Sequence, residues 1–142
     1  MAPDAEADRF AARFSAAWSE PTADRLVALL TDDVVLAGPL VRTSRGKPAA
    51  REGLTRLLAF IPDLHAEVHG HWGEGDRVAI HFDLVGTIDG RELRWSVVDI
   101  FELRDGQGAR RDAHFDPLPL ILALLGRPRA WPAYLRSGLW RS

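Results

Sequence analysis

The spacing of apolar residues divides the chain into two regimes. Over residues 4–19, Phe10, Phe14, Ala17 and Trp18 recur at helical spacing, which predicts an amphipathic helix with one aromatic face. Thr22 reads as the N-cap of a second helix, with Asp24 in its first turn and Leu26, Leu29 and Leu30 as its stripe. A short strand, Val34 to Leu36, follows and stops at Gly38-Pro39; "RTSRGK" reads as loop. Pro48 opens a third helix that turns Leu54, Leu57, Leu58 and Ile61 inward. From Asp63 the period becomes 2, which predicts strands at about 64–72, 77–87, 92–103 and 109–116. The Gly- and Asp-rich connections "GEGD", "IDG" and "RDGQG" have hairpin chemistry. Beyond them, "DPLPLILALLGRPRAWPAYLRSGLW" predicts one or two short helices broken by Gly126 and prolines.

Helices first and an antiparallel meander afterwards is an α+β pattern. The expected architecture is a cone-shaped, curved antiparallel sheet with three N-terminal helices enclosing an apolar pocket, plus a C-terminal helical extension. The 142 residues are read as one domain, with a core over about 8–118 and the extension over about 118–140.

Composition narrows the function classes. Hydrophobic residues make up 46% and charged ones 27%, an ordinary globular balance, and the net charge of −2 gives no basic excess for nucleic acid. The absence of cysteine removes disulfides and thiolate chemistry. The apolar run "PLPLILALLG" falls well short of the roughly 20 residues of a membrane span. "MAPDAEADRF" has no apolar signal core, so a cytoplasmic protein is expected. No phosphate loop, dinucleotide fingerprint or serine nucleophile elbow is present, and no cofactor is expected.

"SVVDIFELRDG" places Asp99 on the strand face shared by Val97, Phe101 and Leu103. A carboxyl there is either an acid or base facing a ligand, or half of a buried pair with Arg111 on the next strand. If Asp99 points inward, the same parity brings Trp95, Val97 and Phe101 around it. Ile80, Phe82 and Leu84 then come from the neighbouring strand, Phe115 from the last, Phe14 and Trp18 from the first helix and Phe60 from the third. Such a wall suits a flat or cyclic apolar ligand with one or two oxygens; the competing reading is that the aromatics fill the core.

"HAEVHGH" puts His65, Glu67, His69 and His71 on one strand face, with His81 and Asp83 beside them. Strand neighbours two apart are about 7 Å from each other, too far to share one ion without help, so no metal site is expected. The stripe reads as an outward surface, and His69 is the first candidate for a second catalytic group if a histidine turns inward. His114 reads as surface.

The order of "AAWSEPTADRLVALLTDDVVLAGP", "IPDLHAEV" and "VVDIFELRDG…HFD" resembles the nuclear transport factor 2-like superfamily over about residues 8–118. It is most similar to the SnoaL-like polyketide cyclase, limonene epoxide hydrolase and ketosteroid isomerase branches. The resemblance implies a cone with a deep apolar pocket and often a homodimer through the outer face of the sheet. It also places Asp99 at the oxyanion acid of the isomerases, while their tyrosine falls on Phe14 and their proton-shuttling base on Gly38. The epoxide hydrolase positions fall near Phe82, Leu84 and Ala113, and the cyclase acid lies close to Ala113. None of the three catalytic sets carries over whole.

The expectation is therefore a SnoaL-like protein for a small apolar cyclic molecule, either an isomerase, cyclase or lyase using Asp99 as acid/base or oxyanion donor, or a catalytically silent binding or dimerising domain. The C-terminal Arg/Trp segment is read first as a lid over the pocket mouth or a contact with a second subunit, ahead of a membrane surface.

Overall fold

A computed structural model describes residues 4–141. Helix α1 (Asp4–Ser19) leads into the single turn α2 (Ala23–Val27) and strand β1 (Leu30–Ala37). A two-residue strand β2 (Ser44–Arg45) precedes helix α3 (Lys47–Phe60). The meander follows as β3 (His65–Glu74), β4 (Arg77–Ile88), β5 (Arg91–Arg104) and β6 (Gln107–His114). Helices α4 (Leu118–Leu125) and α5 (Trp131–Ser137), with short 3₁₀ turns at 128–130 and 139–141, end the chain.

Local chemistry accounts for most boundaries. The Thr22 hydroxyl accepts from the Arg25 N–H at 3.1 Å, the cap expected of α2. The helix is nevertheless one turn long and does not include Leu29 or Leu30, because Leu30 opens β1, where it pairs with Gly108 of β6. Asp89-Gly90 and Asp105-Gly106 each hold two successive positive φ angles (53° and 71°; 53° and 77°), the conformation of the tight turn that matches strand twist. These two-residue turns set the β4–β5 and β5–β6 registers, pairing Ile88 with Arg91 and Arg104 with Gln107.

The six strands lie in the order β2-β1-β6-β5-β4-β3, a curved sheet with free edges at β2 and β3. Two features depart from the antiparallel cone expected from the chain. The sheet is not closed, and β1 runs parallel to β6. A parallel neighbour arises because β1 and β6 are joined through α3 and the entire meander rather than by a hairpin.

Helix α1 lies across the concave face with Phe10 and Phe14 each 1% exposed. Its approach to β3 is close enough that a Cβ on Gly73 would overlap the Ala7 side chain. Trp18 and Ala17 continue the buried stripe, and Val34, Leu36, Val78, Ile80 and Phe82 supply the sheet's side of the core. Among the described residues, no helix is long and apolar enough to cross a membrane.

Candidate functional site

Strand β5 sits between β4 and β6, so its inward residues meet the core from both sides. The register pairs Asp99 with Ile80 on β4 and with Ala113 on β6. Paired residues share a face, and Ile80 is fully buried, so Asp99 is inward as its parity requires. It is 4% exposed, and its Oδ1 has no hydrogen-bond partner. Burial disfavours the charged form and pushes the carboxyl up to about 6; the positive charges of Arg111 and His114 oppose that rise.

Arg111 pairs with Phe101 and lies on the same face, one inward position along from Ala113. Its Nε is buried and also lacks a hydrogen-bond partner. Of the expected buried pair with Arg111, the charge interaction is present but no hydrogen bond is made at Oδ1 or Nε: the guanidinium acts on the carboxyl through its charge. Ser44, whose Oγ is a third orphaned buried atom, occupies the same row through the pairs Ser44–Leu36 and Leu36–Arg111. The inner parity of Arg111 was legible in the sequence, although its lack of a partner was not. Ser44 carried no signal, since a two-residue strand reads as loop.

The expected wall divides in two. Phe14, Phe82, Val97 and Phe101 are no more than 3% exposed and pack tightly. Phe14 lies 5.1 Å from Phe82 and 5.8 Å from Phe101, centroid to centroid, and Phe10 lies 4.8 Å from Phe101. Trp18 and Leu84 border this cluster and are also buried. By contrast, Phe60, Trp95 and Phe115 are half-buried against the core, with the Phe60 ring 5.7 Å from Tyr134. The aromatic filling is therefore concentrated under α1. Two surface hollows, about 390 Å³ beside Ser19–Arg25 and Pro62–His65 and about 290 Å³ beside Thr31–Asp33 and Arg104–Gln107, are lined by neither Asp99, Arg111 nor any residue of that wall.

The structure does not bring His69 to Asp99. Its Nε2 lies 3.2 Å from Asp83 Oδ2 and its ring 5.0 Å from that of His81, on the convex face. His81 in turn contacts Ser96 Oγ at 2.9 Å. Arg94 completes this group by donating to Glu67 Oε2 at 2.5 Å and Asp83 Oδ2 at 3.2 Å. Burial alone would raise the Asp83 carboxyl, but hydrogen bonds from His69 and Arg94 outweigh it and hold it below the usual range. His71 departs from the expected stripe. A register shift between Val68 and Gly70 pairs His71 with Ile80, and its Nε2 meets Asp8 Oδ1 on α1 at 2.7 Å. Among the described residues, no group of three or more His, Cys, Asp or Glu is arranged to hold a metal ion.

Known structures share this architecture. A SnoaL-like polyketide cyclase from Jannaschia sp. CCS1 superposes with a TM-score of 0.74 at 21% identity, covering 84% of this chain and 91% of that one. An epoxide hydrolase of the limonene type from M. tuberculosis superposes at 0.72 with 23% identity, covering 89% and 95%. TerC, co-crystallised with polyporic acid, superposes at 0.72 with 19% identity, covering 85% and 97%. These identities establish a common fold. No match was found among proteins of curated function. The sequence model of the SnoaL-like domain matches residues 11–111, most of the chain and every strand but the end of β6, and the protein belongs to the SnoaL-like domain family.

Proposed function

We propose that the protein binds a small, largely apolar cyclic molecule against the inner face of β5 and β6, and that it acts on it as an isomerase, cyclase or lyase. The observation that carries this reading is the Asp99 carboxyl, buried among apolar side chains with Oδ1 unpartnered. A buried polar atom without a partner costs about 1–3 kcal/mol, so a site that retains one is poised to supply the missing hydrogen bond to a ligand.

The chemistry follows from charge. With its pKa near 6, Asp99 is ionised above that pH and can take a proton from a carbon next to a carbonyl. The same carboxylic acid can return the proton at another position, which completes an isomerisation with one group. The positive charge of Arg111 stabilises negative charge developing on the carbonyl oxygen. Phe14, Gly38 and Ala113 add no second acid or base at the positions where the related enzymes have theirs. The half-buried Trp95, Phe115 and Phe60 form the apolar side of this site in the proposal, and His69 has no part in it.

The decisive experiment is a thermal-shift screen against steroids, polycyclic aromatics, terpenoid epoxides and lactones, followed by turnover assays on each class that binds. A saturating ligand at about a hundred times its Kd adds about 2.7 kcal/mol. Turnover that falls at least a hundredfold in Asp99→Asn supports the reading; turnover unchanged by that substitution overturns it.

A second reading is a catalytically silent binding or dimerising domain. The close packing of Phe10, Phe14, Phe82 and Phe101 favours it, because these rings occupy much of the interior that a large substrate would need. Tight binding without turnover, unaffected by Asp99→Asn, distinguishes it. In either reading the convex face, with Ala79, Val98 and Ile100 half-buried at its centre, is the surface on which a homodimer would form.

A further inference from the structure

Helix α4 is apolar on every side. Leu120, Ala123 and Leu124 form one stripe, packed on the core. Leu118, Leu122 and Leu125 form another that points away from the body and is 54–61% exposed. A helix that is hydrophobic all round is normally covered all round. Helix α5 and the turn after it repeat the arrangement: Tyr134 faces Phe60, while Trp131, Leu135 and Trp140 are 43–60% exposed.

Charge is segregated along with this apolar surface. All 20 acidic residues lie before position 117, together with 14 of the 18 basic ones. The segment after it contains Arg127, Arg129, Arg136 and Arg141 and no acid. Arg127 is a strut, donating to the backbone carbonyls of Ile88 and Ala123. Arg141 lies over the Trp140 ring at 4.7 Å, so a cation and an aromatic face are presented together. An acidic body thus carries a cationic appendage rich in exposed leucine and tryptophan.

We propose that this segment is a docking surface for an anionic lipid bilayer, on which the protein lies peripherally. Tryptophan and leucine enter the boundary between headgroups and acyl chains, and arginine engages the headgroup charge. An isologous contact between two such segments would bring two sets of four arginines together, which opposes self-pairing. A lid over the inner face would use the stripe of α4 that already packs there, leaving the outer stripe uncovered. Among the described residues no helix is long and apolar enough to cross a membrane, and the contact proposed is with its surface.

The test is co-sedimentation of the full chain with vesicles of phosphatidylcholine alone and of phosphatidylcholine with about a third phosphatidylglycerol. Binding to the anionic vesicles alone, lost in high salt, is expected. The triple substitution of Arg129, Arg136 and Arg141 to Gln is expected to reduce partitioning on the order of a hundredfold. Leu122→Gln with Leu125→Gln is expected to reduce it as well, with an unchanged circular-dichroism melt showing that the fold persists. Absence of binding to either vesicle overturns the proposal, as does equal binding to both. Lipid-free self-association abolished by the same substitutions also overturns it and assigns the surface to a second copy.

Discussion

The two faces of the sheet handle the same pair of charges in opposite ways. On the convex face Arg94 bonds Glu67 and Asp83, His69 supports Asp83, and every member is at least partly exposed. On the concave face Asp99 and Arg111 are brought to neighbouring strands and left without hydrogen bonds at Oδ1 and Nε. The outer cluster lowers the Asp83 carboxyl, whereas burial raises that of Asp99 to about 6. A satisfied network is a structural device. An unsatisfied buried acid costs stability, and the function proposed above has a ligand complete it.

The contrast is broken most severely by emptying the concave side. Phe14→Ala removes the ring that contacts Trp18, Phe82 and Phe101, and a loss of about 3–5 kcal/mol is expected by urea titration.

The next effect has the opposite sign. Because Asp99 has a raised pKa in the folded protein, its contribution favours folding below 3.8, declines as pH rises through about 6, and is flat above. The rise from 3.8 to about 6 corresponds to about 3 kcal/mol, the upper limit of what Asp99→Asn can restore at pH 8. Thermal melts should show this variant more stable than the parent at pH 8, with the gain shrinking as pH falls toward 4. A variant less stable at pH 8 would mean that the carboxylate is well solvated or paired in solution.

Arg111→Met sharpens the same point. It removes the nearby positive charge, so the Asp99 carboxyl should titrate above its parent midpoint, as read by carboxyl ¹³C NMR. An unshifted midpoint would separate the two groups and leave Asp99 to act alone.

The smallest change belongs to the convex face. Arg94→Ala should cost little stability, and less still in high salt, because Arg94 and Glu67 lie at the surface where their charges are screened. A loss rivalling that of Phe14→Ala would make the outer network a structural centre and erase the distinction between the faces.

Local rules carried the reading of the chain a long way. Period and turn chemistry are properties of a few adjacent residues, so the Phe10–Trp18 stripe, the Thr22 cap, the two Asp-Gly turns and the inward parity of Asp99 were all legible. The same parity placed Arg111 inside. What resisted was set by segments distant in sequence. The parallel alignment of β1 with β6 depends on how the whole meander folds back, and no pair of neighbouring residues encodes it. The shift between Val68 and Gly70 reverses the side of His71 because one extra residue in a strand inverts the alternation beyond it. Sequence alone therefore determined the succession of the main helices and meander strands and which face of β5 holds the acid, but not where α2 gives way to β1 or that Ser44 joins a strand. Only the tertiary structure decided that Asp99 and Arg111 make no hydrogen bond at Oδ1 or Nε, since that depends on how two side chains from different strands reach across a shared interior.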